Sequence, residues 1–203
     1  MKPSGIFLAY FMQALILLNV AYSVYIGDWF LAIPALFAFF LTIVPHLVER
    51  RANITLPWKI NFLVALSLYL HVAGHVAGFY DTYSPLYDKL AHLISAITVA
   101  VLGFVVVFLL EQFSEQRCTR FMIVFFVIMS TMGLGAIWEI YEFTLDTLFG
   151  LNLQHGLEDT MWDLIFNLFG ALIVASLANF YLGNMTKEDI KRMLFGTIRK
   201  IKK

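Results

Sequence analysis

Six long apolar stretches, separated by short polar breaks, leave this chain few ways to fold. They run from Gly5 to Ile26, Trp29 to Val48, Lys59 to Tyr80, Tyr87 to Leu110, Thr119 to Phe149 and Asp159 to Leu182. A helix crosses the hydrocarbon core of a bilayer with roughly 20 such residues, and in lipid it satisfies its own backbone polar groups. The breaks carry turn formers and charges: Gly27-Asp28, Glu49-Arg50-Arg51 with Pro57 beyond, Ser84-Pro85, and the stretches 111–120 and 150–156. Composition agrees, since 61% of the 203 residues are hydrophobic and 14% charged, against about 25% charged in a soluble domain. This excludes a soluble globular domain, a disordered chain and a basic nucleic-acid binder. The first stretch has no small-residue cleavage site and reads as a span, not a removed signal peptide. A single cysteine, Cys118, excludes a disulfide scaffold and a cysteine-based zinc site. The expected fold is all-α: six transmembrane helices in one bundle over residues 1–184, then a basic amphipathic tail over residues 185–203.

Basic residues predict the orientation, because short loops rich in Lys and Arg stay cytoplasmic. Lys2, Arg50, Arg51, Lys59, Arg117, Arg120 and the seven basic residues of the tail fall on one side, with Lys89 alone on the other. A multi-pass protein of the cell membrane with both termini cytoplasmic is expected. In the tail, Thr186 and Asp189 resemble a capping box. Ile190, Met193, Leu194, Ile198 and Ile201 recur at helical spacing among basic residues. That pattern predicts a helix lying in the headgroup plane, with anionic membrane lipid as its partner.

The acids and histidines collect at the opposite end. Nine of the fourteen acids (Asp28, Asp81, Asp88, Glu139, Glu142, Asp146, Glu158, Asp159 and Asp163) and His71, His75, His92 and His155 fall toward the outer side, whereas His46 does not. Their spacing is helical: His71 and His75 at i, i+4; Asp88, His92 and, three further on, Ser95; Glu139, Glu142 and Asp146 at i, i+3, i+7; Asp159, Asp163 and Asn167 at i, i+4, i+8. Residues so spaced share a helix face. With alternate helices antiparallel, all four stripes reach the same outer half of the membrane. Ionisable groups inside spans face a bundle interior and mark function.

Carboxylates with imidazoles suit a divalent metal such as zinc, manganese or iron. The expected ligands are His71, His75, Asp88, His92, Glu139, Glu142 and Asp163. A hydrogen-bonded network of protonated acids is the competing reading. Haem between paired histidines is a third, without an attachment motif. Asp28 and Asp81 read as solvated loop residues, and Asp159 as a helix cap. Trp29, Trp58, Trp138 and Trp162 read as an aromatic belt at the span ends.

The blocks His71-Val-Ala-Gly-His75, Tyr87-Asp88-Lys89-Leu-Ala-His92, Trp138-Glu139-Ile-Tyr-Glu142 and Asp159-Thr-Met-Trp-Asp163-Leu-Ile-Phe-Asn167 resemble those of the YjdF-like inner-membrane family. The later blocks also resemble VanZ-like proteins, a family linked to glycopeptide-antibiotic resistance. Asp88, Lys89 and His92 match its first element, and Asp159, Asp163, Asn167 and Gly170 its last. Glu142 stands where that pattern has glutamine, and the arginine that usually precedes the last element has no counterpart. The resemblance implies a shared polar site.

Motifs for familiar hydrolases are missing: His-Glu-x-x-His, Gly-x-Ser-x-Gly, the Ser-Gly-His block of lipid phosphatases and the Asp-Gly-x-x-Ala-Arg block of lipid phosphotransferases. Hydrolysis here would use metal-activated water, with Glu142 or His92 as the catalytic base. Alkaline-ceramidase-like enzymes offer an analogy of class. The expected function is a metal-dependent hydrolase or transferase acting on a lipid or lipid-linked substrate. The alternative is a small transporter or proton- or cation-binding membrane protein without covalent chemistry.

Overall fold

The computed structural model describes residues 3–114 and 117–195. Among them the chain is helical with no strand. The helices are α1 (Pro3–Tyr25), α2 (Trp29–Leu41), α3 (Val44–Ala52), α4 (Trp58–Val76), α5 (Phe79–Thr82), α6 (Leu86–Phe113), α7 (Arg120–Phe149), α8 (Leu157–Asn184) and α9 (Lys187–Phe195). Six segments are long and apolar enough to cross a membrane: Gly5–Tyr25, Trp29–Ala52, Trp58–Val76, Leu86–Glu111, Arg120–Phe149 and Leu157–Asn184. Their outer faces carry large apolar side chains, among them Phe7, Leu18, Phe37, Phe121, Phe169 and Ile173, all exposed. Such faces are what a bilayer covers.

Two of the expected spans differ in detail. The second is not one straight helix over residues 29–48; it breaks at Thr42 and Ile43. Pro45 has no N–H for the Leu41 carbonyl, so a continuous helix would lose that bond. The turn before it tightens: the Thr42 N–H meets both the Ala38 and Phe39 carbonyls, and the Thr42 hydroxyl donates to the Phe39 carbonyl at 2.6 Å. The third span ends at Val76, not Tyr80. Gly78 takes a left-handed φ of 69°, which glycine adopts without steric cost, and the chain re-enters as α5.

The chain divides into two compact units. The first holds residues up to Ala91 together with Met185 onward. Here α1, α2 and α4 pack on one another. Ala32, Ala35 and Ala38 form a buried small-residue face on α2, and small faces let helices approach closely in membranes. Ile16, Ala35, Ala38 and Val72 form the core, with Val20, Leu68 and Tyr69 against it. Asp28 is more than a solvated loop residue: its carboxylate accepts from the Leu31 N–H at 3.1 Å and caps α2.

The tail starts with Thr186 as the cap: the Asp189 N–H donates to the Thr186 hydroxyl, the forward half of the expected capping box, and that hydroxyl donates to the Asp189 carboxylate. Its apolar face is partly inside the protein: Ile190, Leu194 and Phe195 are buried, and Met193 is exposed. The Phe195 carbonyl accepts from the Thr55 N–H at 3.4 Å. The later tail positions, including Ile198 and Ile201, lie outside the described residues.

The second unit is His92–Asn184, formed by α6 from His92 on, α7 and α8. A Cβ at Gly170 of α8 would lie 2.6 Å from the Ala96 Cβ and 3.0 Å from the Leu93 carbonyl oxygen, so α8 meets α6 almost backbone to backbone. Gly103 of α6 similarly faces Ser130 of α7. At the far end, Arg120 Nε of α7 donates to the Asn179 side-chain Oδ1 of α8 at 2.5 Å, and its guanidinium lies over Gly183.

Candidate metal centre

Within the second unit, each of the three long helices contributes a buried ionisable side chain to one place. His92 of α6, Glu139 of α7 and Asp163 of α8 are 4%, 4% and 2% exposed. His92 Nδ1 stands 3.9 Å from Glu139 Oε1, and His92 Nε2 stands 3.7 Å from Asp163 Oδ1. The imidazole is therefore flanked by carboxylates at both ring nitrogens. Two ligand atoms each about 2.0–2.2 Å from one zinc lie roughly 3–3.5 Å apart, so the His92–Asp163 gap is within a few tenths of an ångström of a chelating pair. Glu139 meets the opposite nitrogen, the side that a cation held by Nε2 and Asp163 does not use.

Asp88 lies one turn before His92 on α6, and its carboxylate comes within 4.8 Å of the His92 ring. The i, i+4 spacing puts both on one helix face. Lys89 donates to Asp88 Oδ2 at 2.8 Å. One turn after Glu139, Glu142 is also buried, and the Trp138 indole N–H donates to its Oε1 at 2.9 Å. Trp138 is thus an acid's hydrogen-bond donor rather than only a belt residue. Asn167, one turn after Asp163, is 4% exposed, and its Nδ2 has no hydrogen-bond partner among the described residues. Gly135 makes room for it, since a Cβ there would lie 2.6 Å from Asn167 Nδ2.

Other members of the stripes do structural work. Asp146 accepts from the Leu153 and Gln154 N–H groups at 2.8 and 2.9 Å and fastens the loop after α7. Asp159 faces His155 at 3.8 Å, both partly exposed.

His71 and His75 belong to the first unit, where they meet aromatic rings. His71 Nδ1 is 2.5 Å from the Tyr80 hydroxyl, and the His75 ring stands edge-on to Tyr80 at 4.7 Å between centroids. Tyr80 sits against Gly74, where any Cβ would collide with its ring. Tyr87 stacks edge-on against Tyr80 and donates its hydroxyl to the Leu70 carbonyl. The sequence signal for this cluster is Gly74 between the two histidines and Tyr80 just beyond the end of α4.

Comparison with known proteins adds the family. An uncharacterized protein of Thermotoga maritima is 27% identical over 135 residues, 66% of this chain and 68% of its own length. No solved structure matches the chain. The family described as predicted membrane protein (DUF2238) matches residues 7–184, which take in five spans whole, nearly all of the first and every residue of the His92 cluster, and the chain belongs to that family.

Proposed function

We propose that this protein is a multi-pass protein of the cell membrane with a divalent-metal centre in its outer half, and that it hydrolyses or transfers a lipid or lipid-linked substrate. The observation that carries the reading is the buried His92 ring with a carboxylate at each nitrogen. Metal-bound histidines typically give their other N–H to a carboxylate, which fixes the tautomer and orients the ring. In this assignment His92 Nε2 and Asp163 would hold the metal, Asp88 would add an oxygen from the preceding turn, and Glu139, 3.9 Å from Nδ1, would be the carboxylate that orients the ring. A bound zinc or manganese ion would supply Lewis acidity and acidify a water. Glu142, oriented by the Trp138 N–H, would serve as the base for that water's proton and as the acid for the leaving group. The resemblance of Asp88, His92, Asp163, Asn167 and Gly170 to VanZ-like motifs supports a common site. Both termini are assigned to the cytoplasm on the bias of basic residues.

Elemental analysis of the detergent-purified protein tests this reading. One equivalent of a transition metal is expected, absent in His92→Ala and Asp163→Asn. Glu139→Gln should keep metal with affinity lowered about 10–100-fold, the usual effect of losing an outer carboxylate. A wild-type protein that neither carries nor takes up metal would transfer the assignment to proton sharing among Glu139, His92 and Asp163, the reading without covalent chemistry.

A further inference from the structure

The break in the second span opens a separate feature in the first unit. By ending α2 at Leu41, it lets α3 turn its polar residues toward α1 and α4 around a cavity of about 690 Å³. Tyr10 and Gln13 of α1, His46 and Arg50 of α3, and Trp58 and Asn61 of α4 line it. The volume is that of a small-ligand pocket. It sits where the Trp29–Ala52 span ends, and Trp58 there is placed as an interfacial tryptophan.

The polar lining is unusually unspent. Glu49, the acid beside Arg50, is engaged, accepting from the Leu56 N–H at 2.7 Å and facing His46 Nδ1 at 3.4 Å. Arg50 has no carboxylate partner among the described residues, and the half-buried Gln13 and Asn61 side chains make no hydrogen bond among them. An arginine fork with two amide N–H groups beside it is a donor set for phosphate oxygens. The rest of the wall mixes apolar Ile6, Ala9 and Ile54 with Asn53, Thr55 and the engaged Glu49.

We infer that this cavity binds the phosphate-bearing head group of a membrane phospholipid, with Arg50, Gln13 and Asn61 on the phosphate and the glyceride against Tyr10 and Trp58. The site is independent of the His92 cluster. Arg51 provides an internal control, since it carries the same charge one residue on and does not line the cavity.

Native mass spectrometry of the full chain in detergent tests the inference, with dioleoyl phosphatidylglycerol, dioleoylglycerol and glycerol 3-phosphate as probes. The phospholipid should bind with unit stoichiometry. Arg50→Gln should weaken it roughly tenfold or more, the scale of one charge-assisted hydrogen bond lost. Arg50→Lys should restore part of the loss, and Arg51→Gln should leave binding unchanged. Equal retention in Arg50→Gln and wild type, or equal binding of dioleoylglycerol, would overturn the inference. Binding of glycerol 3-phosphate as tight as the phospholipid would keep the phosphate assignment and overturn the lipid one. Loss of binding in Arg50→Lys and Arg51→Gln alike would show a diffuse charge effect and also overturn it.

Discussion

Single residues decide the local geometry of the polar centre, and the smallest decide most. Gly135 leaves the space that Asn167 occupies. Gly135→Ala should destabilise the protein by about 1–3 kcal/mol, the range for overpacking a filled site. The double variant Gly135→Ala/Asn167→Ala should recover most of that loss, because contacting residues couple. Thermal unfolding in detergent measures both, and a double variant as unstable as the sum of its parts would contradict the contact. Asp28→Ala should cost about 0.5–2 kcal/mol as a lost helix cap, with the metal content of the protein unchanged. At this scale the sequence was legible for chemistry and silent on partners. The pairing of His92 with Glu139 followed from two stripes expected at one depth. The pairing of His71 with Tyr80 did not, because Tyr80 is brought back onto α4 by the left-handed turn at Gly78, and a continuous helix to Tyr80 would have carried it elsewhere.

At the scale of elements, the length of the apolar stretches located all six spans and missed what interrupts them. Pro45 lies within the second stretch, but a window of mean apolarity does not register one missing N–H, so that stretch reads as a single helix. The tail shows the complementary error. Its apolar stripe is the same whether it faces lipid or protein, so amphipathicity alone suggested a headgroup helix. The burial of Ile190, Leu194 and Phe195 decides for partial docking within the described part. Ile190→Ala should therefore lower stability by about 2–5 kcal/mol, as for a truncated core aliphatic. Met193→Ala, at an exposed position, should change it by less than about 0.5 kcal/mol. Equal, small effects at both positions would return the helix to the membrane surface.

For the molecule as a whole, the basic bias makes a definite topological prediction. Reporter fusions after Ser84 and after Gly183 should report opposite sides of the membrane, outside and inside respectively. Reports from the same side would remove the common depth on which the meeting of the stripes was argued. Fold class was readable at this scale because lipid leaves a chain so few options. The division into two compact units was not, since the boundary falls inside α6, where no composition shift, glycine cluster or charge run marks it.

Gly170 holds α8 against α6 one turn past Asn167 and two past Asp163. The gap between His92 and Asp163 is thereby set by a hydrogen atom where any other residue has carbon. In metal chemistry such a gap is a gauge of ionic radius: ligands near 2.0–2.2 Å suit zinc, and those at 2.3–2.6 Å suit calcium. A methyl group at position 170 would push the helices apart at backbone atoms that have nowhere to yield. In the metal centre proposed above, Gly170→Ala should therefore shift preference toward larger, harder ions, an effect from a position that would touch no ion at all.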